Sequence, residues 1–238
     1  YSRVNTIPKS ELRNSDGSLV MNLEEADLSA LFSSGYQFPE PFKAKADDGI
    51  TDLYGVMYKP FNFDDKKKYP LLEYVYPGPQ TESVNKSFSV RMNRVDRMAQ
   101  LGFVVITLGN RGGHPHRSKW YHNYGYGNLR DYGLADKKYV AEQLANKHTF
   151  IDINKVGIYG HSGGGFMSTA AILVYPDFFK VAYSQAGNHD NSMYNSWWSE
   201  THHGVKEEID DDGIVNYIYD IEKNQSLANN LKGKLFLV

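Results

Sequence analysis

The sequence predicts an α/β domain in which a mostly parallel sheet is covered by helices on both faces. Three observations support this prediction. A chain of 238 residues is long enough to bury one large core. From residue 50 onward, short apolar segments alternate with stretches of helical periodicity, which is typical of parallel strands joined by crossover helices. One apolar segment, at residues 156–161, runs directly into a glycine-rich turn and then a helical stretch.

Composition excludes several classes of function. The formal net charge of −2 gives no indication of a nucleic-acid partner. Because the chain has no cysteine, a thiol nucleophile, a disulfide framework and a thiolate metal site are excluded. No apolar run approaches the ~20 residues of a membrane-spanning helix. We expect neither a cofactor nor a membrane span in this chain.

The first 49 residues have a different character from the rest. A strand, a turn and a second strand are predicted over residues 11–21, followed by a short helix at 26–32. Pro39 and Pro41 interrupt the chain after that helix. This segment has too little apolar surface to fold alone. We therefore predict that residues 1–49 are the tail of a preceding domain, or an arm packed on the domain formed by residues 50–238.

The first half of the α/β domain contains three predicted strands, at residues 53–58, 70–76 and 103–108, each bounded by proline or glycine. A helix face is predicted between the second and third strands from apolar residues spaced by four, three and four, namely Phe88, Met92, Val95 and Ala99. A polar loop at 109–127 follows, and its length indicates a functional role. The next helix is predicted at 131–145.

The second half contains the glycine-rich turn. A strand ends at residue 161, a helix runs to 175, and another strand covers 180–184. A second long loop, rich in aromatic residues and histidine, covers 187–205. We predict a helix at 214–231, with Asp210–Gly213 as its start, and a last strand at 234–238.

The turn fits the G-x-S-x-G nucleophile elbow, with Gly160-His161-Ser162-Gly163-Gly164 between a strand and a helix. Such a turn strains the serine backbone and leaves no room for side chains at Gly160 and Gly164. The Gly163 amide, at the start of a helix, lacks an intrahelical acceptor and can bind an oxyanion. The alternative is a glycine-rich helix start with an incidental serine. We predict that Ser162 is a nucleophile and that the fold is an α/β-hydrolase.

Four segments together resemble the catalytic domain of the prolyl oligopeptidase family, and most closely its dipeptidyl peptidase IV branch. They are Val75-Tyr76-Pro77-Gly78-Pro79-Gln80, Gly109-Asn110-Arg111-Gly112-Gly113, the elbow, and residues 194–204. The resemblance covers residues ~50–238. It implies a serine peptidase that releases N-terminal dipeptides with Pro or Ala second, through an acyl-enzyme at Ser162. It also implies a β-propeller before residue 50, a periplasmic or secreted location and a homodimer of the full-length protein.

The resemblance implies roles for four further residues. Tyr76 and the Gly163 amide would form the oxyanion hole, and Tyr194 and Trp198 would wall the proline pocket. Trp198 and Gly163 depart from the branch, which usually has tyrosine at both positions, so a strict preference for proline does not follow. The i,i+4 spacing of Tyr194 and Trp198 predicts that both rings face the same way on a helical turn.

The other members of a catalytic triad are expected outside this chain. In the α/β-hydrolase fold the order is Ser, Asp, His, and the resemblance places the Asp after the strand at 234–238. We therefore expect the domain to be incomplete after Val238, and residues 1–238 alone to have no peptidase turnover. His189 and Asp190 are the tempting substitutes, but adjacent side chains leave the backbone in different directions and rarely form a base with its orienting carboxylate.

Other charged and histidine residues are predicted to be structural. An ion pair that fixes the loop is the favoured role of Arg111. Four histidines lack the spacing of a metal site: His114, His116, His202 and His203. Two rival functions remain open, since fold does not fix substrate. One is an acylaminoacyl peptidase or esterase on the same fold, and the other is a non-catalytic module that serves assembly.

Overall fold

The structure is a computed structural model that describes residues 2–77, 81–219 and 221–238. Its strands are β1 (Lys9–Arg13), β2 (Leu19–Glu25), β3 (Glu40–Lys45), β4 (Asp52–Tyr58), β5 (Tyr69–Val75), β6 (Val104–Leu108), β7 (Ile151–His161), β8 (Phe179–Gln185), β9 (Lys206–Ile209), β10 (Val215–Ile218) and β11 (Lys234–Leu237). Its α-helices are α1 (Ser29–Ser33), α2 (Arg94–Gln100), α3 (Lys119–His122), α4 (Leu134–Lys147), α5 (Gly163–Val174) and α6 (Ser196–His203).

Seven strands form one central sheet in the order β11-β8-β7-β5-β6-β4-β3. All neighbours from β11 to β6 are parallel, while β4 and β3 are antiparallel to their neighbours. The prediction of an α/β-hydrolase with a mostly parallel sheet is therefore confirmed. In a parallel sheet the carboxyl ends of the strands meet at one edge, which places Ser162, after β7, at the edge where ligands bind.

Both faces of the sheet carry apolar side chains because successive residues of a strand point to opposite faces. Leu71 packs in the main core with buried residues of α4 and α5, such as Val140 and Met167. The next residue, Leu72, packs in a smaller cluster with Val95 of α2. Helices α4 and α5 thus cover one face, and α2 covers part of the other.

The segment before residue 50 contributes to the same sheet. Strand β3 pairs antiparallel with β4 from Glu40↔Met57 to Lys45↔Asp52, and the following Ala46 is fully buried. The predicted strand, turn and strand near the amino terminus are present as the hairpin β1–β2, whose residues are almost all exposed. The division into domains at residue 50 stays a prediction.

The helix between β5 and β6 is shorter than its periodicity predicts. It begins at Arg94, because Asn93 caps it: the Asn93 side chain accepts from the amides of Val95 and Asp96, and the Asp96 carboxylate accepts from the Asn93 amide. Phe88 lies outside this helix and packs instead at 5.9 Å, ring centre to ring centre, from Phe38. Met92 also precedes the helix. The predicted helix face was therefore wrong over residues 88–93.

The predicted helix at 214–231 is also wrong. Residues 206–218 form the antiparallel hairpin β9–β10, with Val215 opposite Ile209. Asp210, predicted as part of a helix start, lies in the turn, where its carboxylate accepts from the backbone amides of Asp212 and Ile214. Gly213 adopts a positive φ of 77°, which a tight turn requires and a helix excludes. Among the described residues of 214–231, only a 3₁₀ segment at Asn224–Asn230 is helical.

Candidate active site

Ser162 occupies a strained turn between β7 and α5. Its φ of 56° and ψ of −120° lie outside the regions that a side-chain-bearing residue normally adopts. Two hydrogen bonds hold it there: the Ser162 amide donates to the Gln185 carbonyl at 2.8 Å, and the Phe166 amide donates to the Ser162 carbonyl at 3.0 Å. The predicted strain at the elbow is confirmed, and the neighbouring strand β8 supports it.

The elbow glycines are required because the turn packs directly on the end of β5. A Cβ at Gly164 would lie 2.1 Å from the Val75 carbonyl oxygen. A Cβ at Gly160 would lie 2.3 Å from the same oxygen and 2.6 Å from the Gly164 backbone. No rotamer relieves a Cβ contact with backbone, so the prediction that both positions exclude side chains is confirmed.

The predicted oxyanion donors lie beside Ser162. Gly163 is the first residue of α5, where the amide has no acceptor within the helix. A Cβ on Gly163 would lie 3.0 Å from the Pro77 carbonyl, so this glycine abuts the segment that carries Tyr76. These residues share one cavity of about 140 Å³, hereafter the Ser162 cavity, lined by Tyr76, Pro77, Leu129, Tyr132, Ser162, Gly163, Phe166, Asn188, Asn191, Tyr194 and Trp198.

Tyr194 and Trp198 meet at one wall of the Ser162 cavity. Their ring centres are 5.5 Å apart and the rings are nearly perpendicular, at 88°. The predicted helical turn that carries both residues is wrong, because Tyr194 has extended backbone (ψ −176°) and α6 begins only at Ser196. The cap residue Asn195 accepts from the Trp198 amide at 3.4 Å and turns the chain between the two rings.

Two histidine rings pack against the Trp198 ring. Its centre is 4.9 Å from that of His202 and 5.6 Å from that of His203. Burial, and then the neighbouring His202, lower the pKa of His203 from its ordinary value to about 4. The imidazole of His203 is therefore neutral at pH 7 and serves as packing surface for the indole.

Some residues of the cavity carried no clear signal in the sequence. Asn188 and Asn191, whose side-chain amides hydrogen-bond to each other, lie in the second long loop, at residues 187–205, and the sequence did not point to either of them. Tyr132 follows the other long loop, and none of the described residues of 109–127 lines the cavity. Instead, that loop packs against the Tyr132 ring. A Cβ on Gly112 would lie 2.3 Å from this ring, so the position requires glycine.

The histidines of the chain offer Ser162 no hydrogen bond within the described residues. His189 contacts Ser184 and Asn224, whereas Asp190 accepts from Ser192 and pairs with Lys223. The two neighbours thus have separate partners, as expected from their adjacency. The part of the chain that the structure describes contains no cluster of histidine or carboxylate side chains suited to a metal ion. Within the same residues, no helix is long and apolar enough to cross a membrane.

Arg111 fixes the loop after β6. Its guanidinium bonds to the buried Asp136 carboxylate at 2.7–3.1 Å and pairs with Asp48 at 3.2 Å. It also stacks on Tyr124, with 4.3 Å between the guanidinium carbon and the ring centre. This agrees with the predicted structural role, since the geometry leaves the guanidinium occupied by two carboxylates.

A larger cavity of about 600 Å³ lies on the face of the sheet that α2 partly covers, and Tyr74, Tyr159, Tyr183 and Phe236 line it. Among the described residues, its lining includes no serine. The smaller Ser162 cavity combines a strained serine with adjacent hydrogen-bond donors, and it is therefore the candidate active site.

Comparison with known proteins identifies the family to which this chain belongs. The sequence profile of the prolyl oligopeptidase family matches residues 88–238. Human dipeptidyl peptidase 8 is 34% identical over 170 residues, which are 71% of this chain and 19% of that protein. The chain spans about a fifth of the length of this relative and of a similar fungal one, a dipeptidyl-aminopeptidase B of Aspergillus clavatus, which is 30% identical over 201 residues.

Solved structures share the fold over the whole chain. A dipeptidyl aminopeptidase IV candidate from Bacteroides ovatus superposes with a TM-score of 0.82 at 30% identity, over 100% of this chain and 32% of that one. Dipeptidyl peptidase 4 from Porphyromonas gingivalis gives a TM-score of 0.79 at 24% identity, again over 100% of this chain and over 33% of the other. With the profile match over more than half of its residues, the chain belongs to the prolyl oligopeptidase family and has the α/β-hydrolase fold of its dipeptidyl-peptidase-like members.

Proposed function

We propose that the protein carrying this chain is a serine peptidase of dipeptidyl peptidase IV type, which releases N-terminal dipeptides with Pro or Ala second. The observation that carries the proposal is the strained Ser162 in one cavity with Tyr76, Gly163 and the Tyr194–Trp198 wall. The names of the relatives, which are dipeptidyl peptidases and dipeptidyl aminopeptidases, support the same substrate class.

In the proposed reaction, the Ser162 oxygen attacks the carbonyl carbon of the bond to be cut. The carbonyl oxygen becomes an oxyanion that accepts hydrogen bonds from the Tyr76 hydroxyl and the Gly163 amide. The serine proton passes to a general base and then to the departing amine, and an acyl-enzyme remains until water hydrolyses it. No described histidine bonds to Ser162, so we propose that the base and its carboxylate lie outside this chain.

The wall of two rings supports a preference for small residues on the acyl side of the cut bond. Two perpendicular aromatic rings at 5.5 Å bound a narrow apolar slot, and a slot of this kind excludes bulky side chains sterically. A cavity of about 140 Å³ has room for a compact ring such as proline.

The test is labelling and turnover of the full-length protein. A fluorophosphonate should label wild type and the control Ser196→Ala, which removes an exposed hydroxyl at the start of α6, but not Ser162→Ala. Absence of label on wild type would favour the assembly module. Among substrates, Xaa-Pro amides should be cut faster than acyl esters or N-acylated peptides. The reverse ranking would favour the acylaminoacyl peptidase or esterase.

A further inference from the structure

A chain of polar side chains links three segments beside the nucleophile helix. The Asn224 amide nitrogen is 3.0 Å from His189 Nδ1, and His189 Nε2 is 3.4 Å from Ser184 Oγ. Asn224 and Ser184 are only 2% and 1% exposed. None of these contacts is required by the proposed attack of Ser162, so the chain of bonds needs a separate explanation.

The backbone carbonyls that Asn224 and Ser184 contact fix the direction of each hydrogen bond to His189. Asn224 Nδ2 also donates to the Phe166 carbonyl at 3.0 Å, so the atom facing His189 Nδ1 is a donor and Nδ1 accepts. The Ser184 hydroxyl donates to the Gly165 carbonyl at 2.8 Å, so its oxygen accepts from His189 Nε2. Only the neutral tautomer with its proton on Nε2 satisfies both contacts.

The surroundings keep this imidazole neutral. Burial lowers the pKa of His189 from its ordinary value. The nearest charged side chains along the chain, Asp190 and Lys223, pair with each other at 3.1 Å. From the other side, Arg130 donates to the Lys223 carbonyl and pairs with Glu222. The two side chains that contact the ring nitrogens, Ser184 at the end of β8 and Asn224, carry no charge.

The same residues connect the two parts of the candidate active site. Gly165 and Phe166 lie in the first turn of α5, directly after Ser162. His189 begins the loop that carries Asn191 and Tyr194, and its carbonyl accepts from the Asn224 amide at 3.1 Å. His189 therefore lies between the helix that begins after Ser162 and the loop that carries the aromatic wall.

We propose that His189 is a positioning residue: its neutral imidazole, held between Ser184 and Asn224, fixes the Tyr194 wall relative to the helix that begins after Ser162. Protonation would place a second N–H on Nδ1, opposite the Asn224 amide group, so two donors would face each other and the link would open. The role in substrate binding rests on the proposed function, whereas the tautomer does not.

The tautomer is measured by ¹⁵N NMR of histidine-labelled protein at pH 7.5, with the His189 signals assigned by their loss in His189→Asn. The expected result is an unprotonated Nδ1 and a protonated Nε2. In Asn224→Asp the carboxylate would accept from Nδ1, so this imidazole should become an imidazolium at the same pH. An Nδ1–H tautomer or an imidazolium in wild type overturns the proposal.

The positioning role is measured by the pH dependence of KM for an Xaa-Pro amide. In wild type, KM should rise as pH falls through the lowered pKa of His189, and Asn224→Asp should move this rise to higher pH. His189→Ala should raise KM roughly tenfold at pH 7.5, the effect of one lost hydrogen bond to a buried group. His189→Asn, whose Oδ1 can accept from Asn224, should restore KM and abolish the acidic rise.

Outcomes for the two proposals are separable. An unchanged KM and pH profile in His189→Ala would overturn the positioning role. Turnover that survives in Ser162→Ala would instead overturn the proposed function, and the NMR result would then decide on the His189 link by itself. If His189→Ala fails to fold, His189→Asn and Asn224→Asp are the deciding variants. If His189 were merely structural, neither variant would change the pH at which KM rises.

Discussion

His203 should make the folded protein sensitive to mild acid. Its side chain lies beneath the Trp198 ring, only 7% of the residue is exposed, and its buried Nε2 has no hydrogen-bond partner among the described residues. Burial, followed by the nearby His202, lowers the pKa of His203 from 6.5 to about 4. Adding a proton to this ring in the folded state would place a charge in a largely buried site beside the His202 ring, and both burial and His202 disfavour that charge.

The direction in which pH changes the free energy of unfolding follows from the number of protons that each state binds. Between pH 6.5 and 4 the unfolded chain holds more protons at this residue than the folded one, so stability rises with pH there. The contribution of His203 is complete above pH 6.5 and is lost progressively as pH falls toward 4. At pH 5 the unfolded imidazole is almost fully protonated, and the expected loss relative to pH 7.5 is about 2 kcal/mol, with a limit of about 3 kcal/mol at lower pH.

The assay is urea unfolding of wild type, His203→Met and the control His116→Gln at pH 7.5 and pH 5.0. His203→Met should lose about 2 kcal/mol less than wild type between the two pH values, while His116→Gln, which removes an exposed ring, should follow wild type. A residual slope is expected in all three because burial also lowers the pKa of His148, His189 and His202. An identical loss in wild type and His203→Met would refute the reasoning.

Four further outcomes are expected. Tyr76→Phe should lower kcat on Xaa-Pro amides by roughly 10²–10³ with little change in KM, because one oxyanion donor is lost; a kcat within a few-fold of wild type would make Tyr76 a structural aromatic. Gly164→Ala should lower the free energy of unfolding, measured in urea, by about 1–3 kcal/mol, since its Cβ would overlap the carbonyl that ends β5. Trp198→Ala should raise kcat/KM for substrates with Leu or Phe before the cut bond relative to Pro, and an equal fall for all substrates would place Trp198 in the core instead. Glu73→Leu alone should be more destabilising in urea unfolding than Glu73→Leu combined with Lys137→Met, because the single change leaves the buried Lys137 amine without the electrostatic attraction of its buried neighbour Glu73.

The nucleophile elbow was predictable because its requirements are local. The strand, the two glycines and the helix start follow one another within residues 156–174, although the backbone that contacts them belongs to Val75 and Gln185. The mostly parallel sheet was predictable for a similar reason, since β5, β6, β7 and β8 are each short apolar runs in the sequence. The alternation of these runs with helices leaves few other arrangements.

The errors have a common physical cause, which is that local cap and turn interactions overrode an apparent helical period. Phe88 and Met92 match the spacing of α2, but the Asn93 cap begins the helix after them. In residues 214–218, the apolar residues Ile214, Val215, Tyr217 and Ile218 match a helical period, but the turn at Asp210–Gly213 pairs residues 215–218 with β9.

Contacts between distant segments were invisible for a different reason. Asn224 is 35 residues from His189 and 58 from Phe166 along the chain, yet one side-chain amide bonds to both. Periodicity describes which face of an element is buried, and it carries no information on which polar side chains meet inside the fold. The wall of Tyr194 and Trp198 was found through the family resemblance, although the helical reason for their contact failed.

The two positive-φ residues other than glycine, among those described, lie at the ends of adjacent strands. Ser162 follows β7 with a φ of 56°, and Ala186 follows β8 with a φ of 47°. They are linked through Gln185, whose carbonyl accepts from the Ser162 amide, while the Ala186 amide donates to the Val238 carbonyl at 2.7 Å. A local rule would place glycine at both positions. Since such strain persists only where the surrounding structure enforces it, its concentration at this sheet edge is an independent reason to locate the function there.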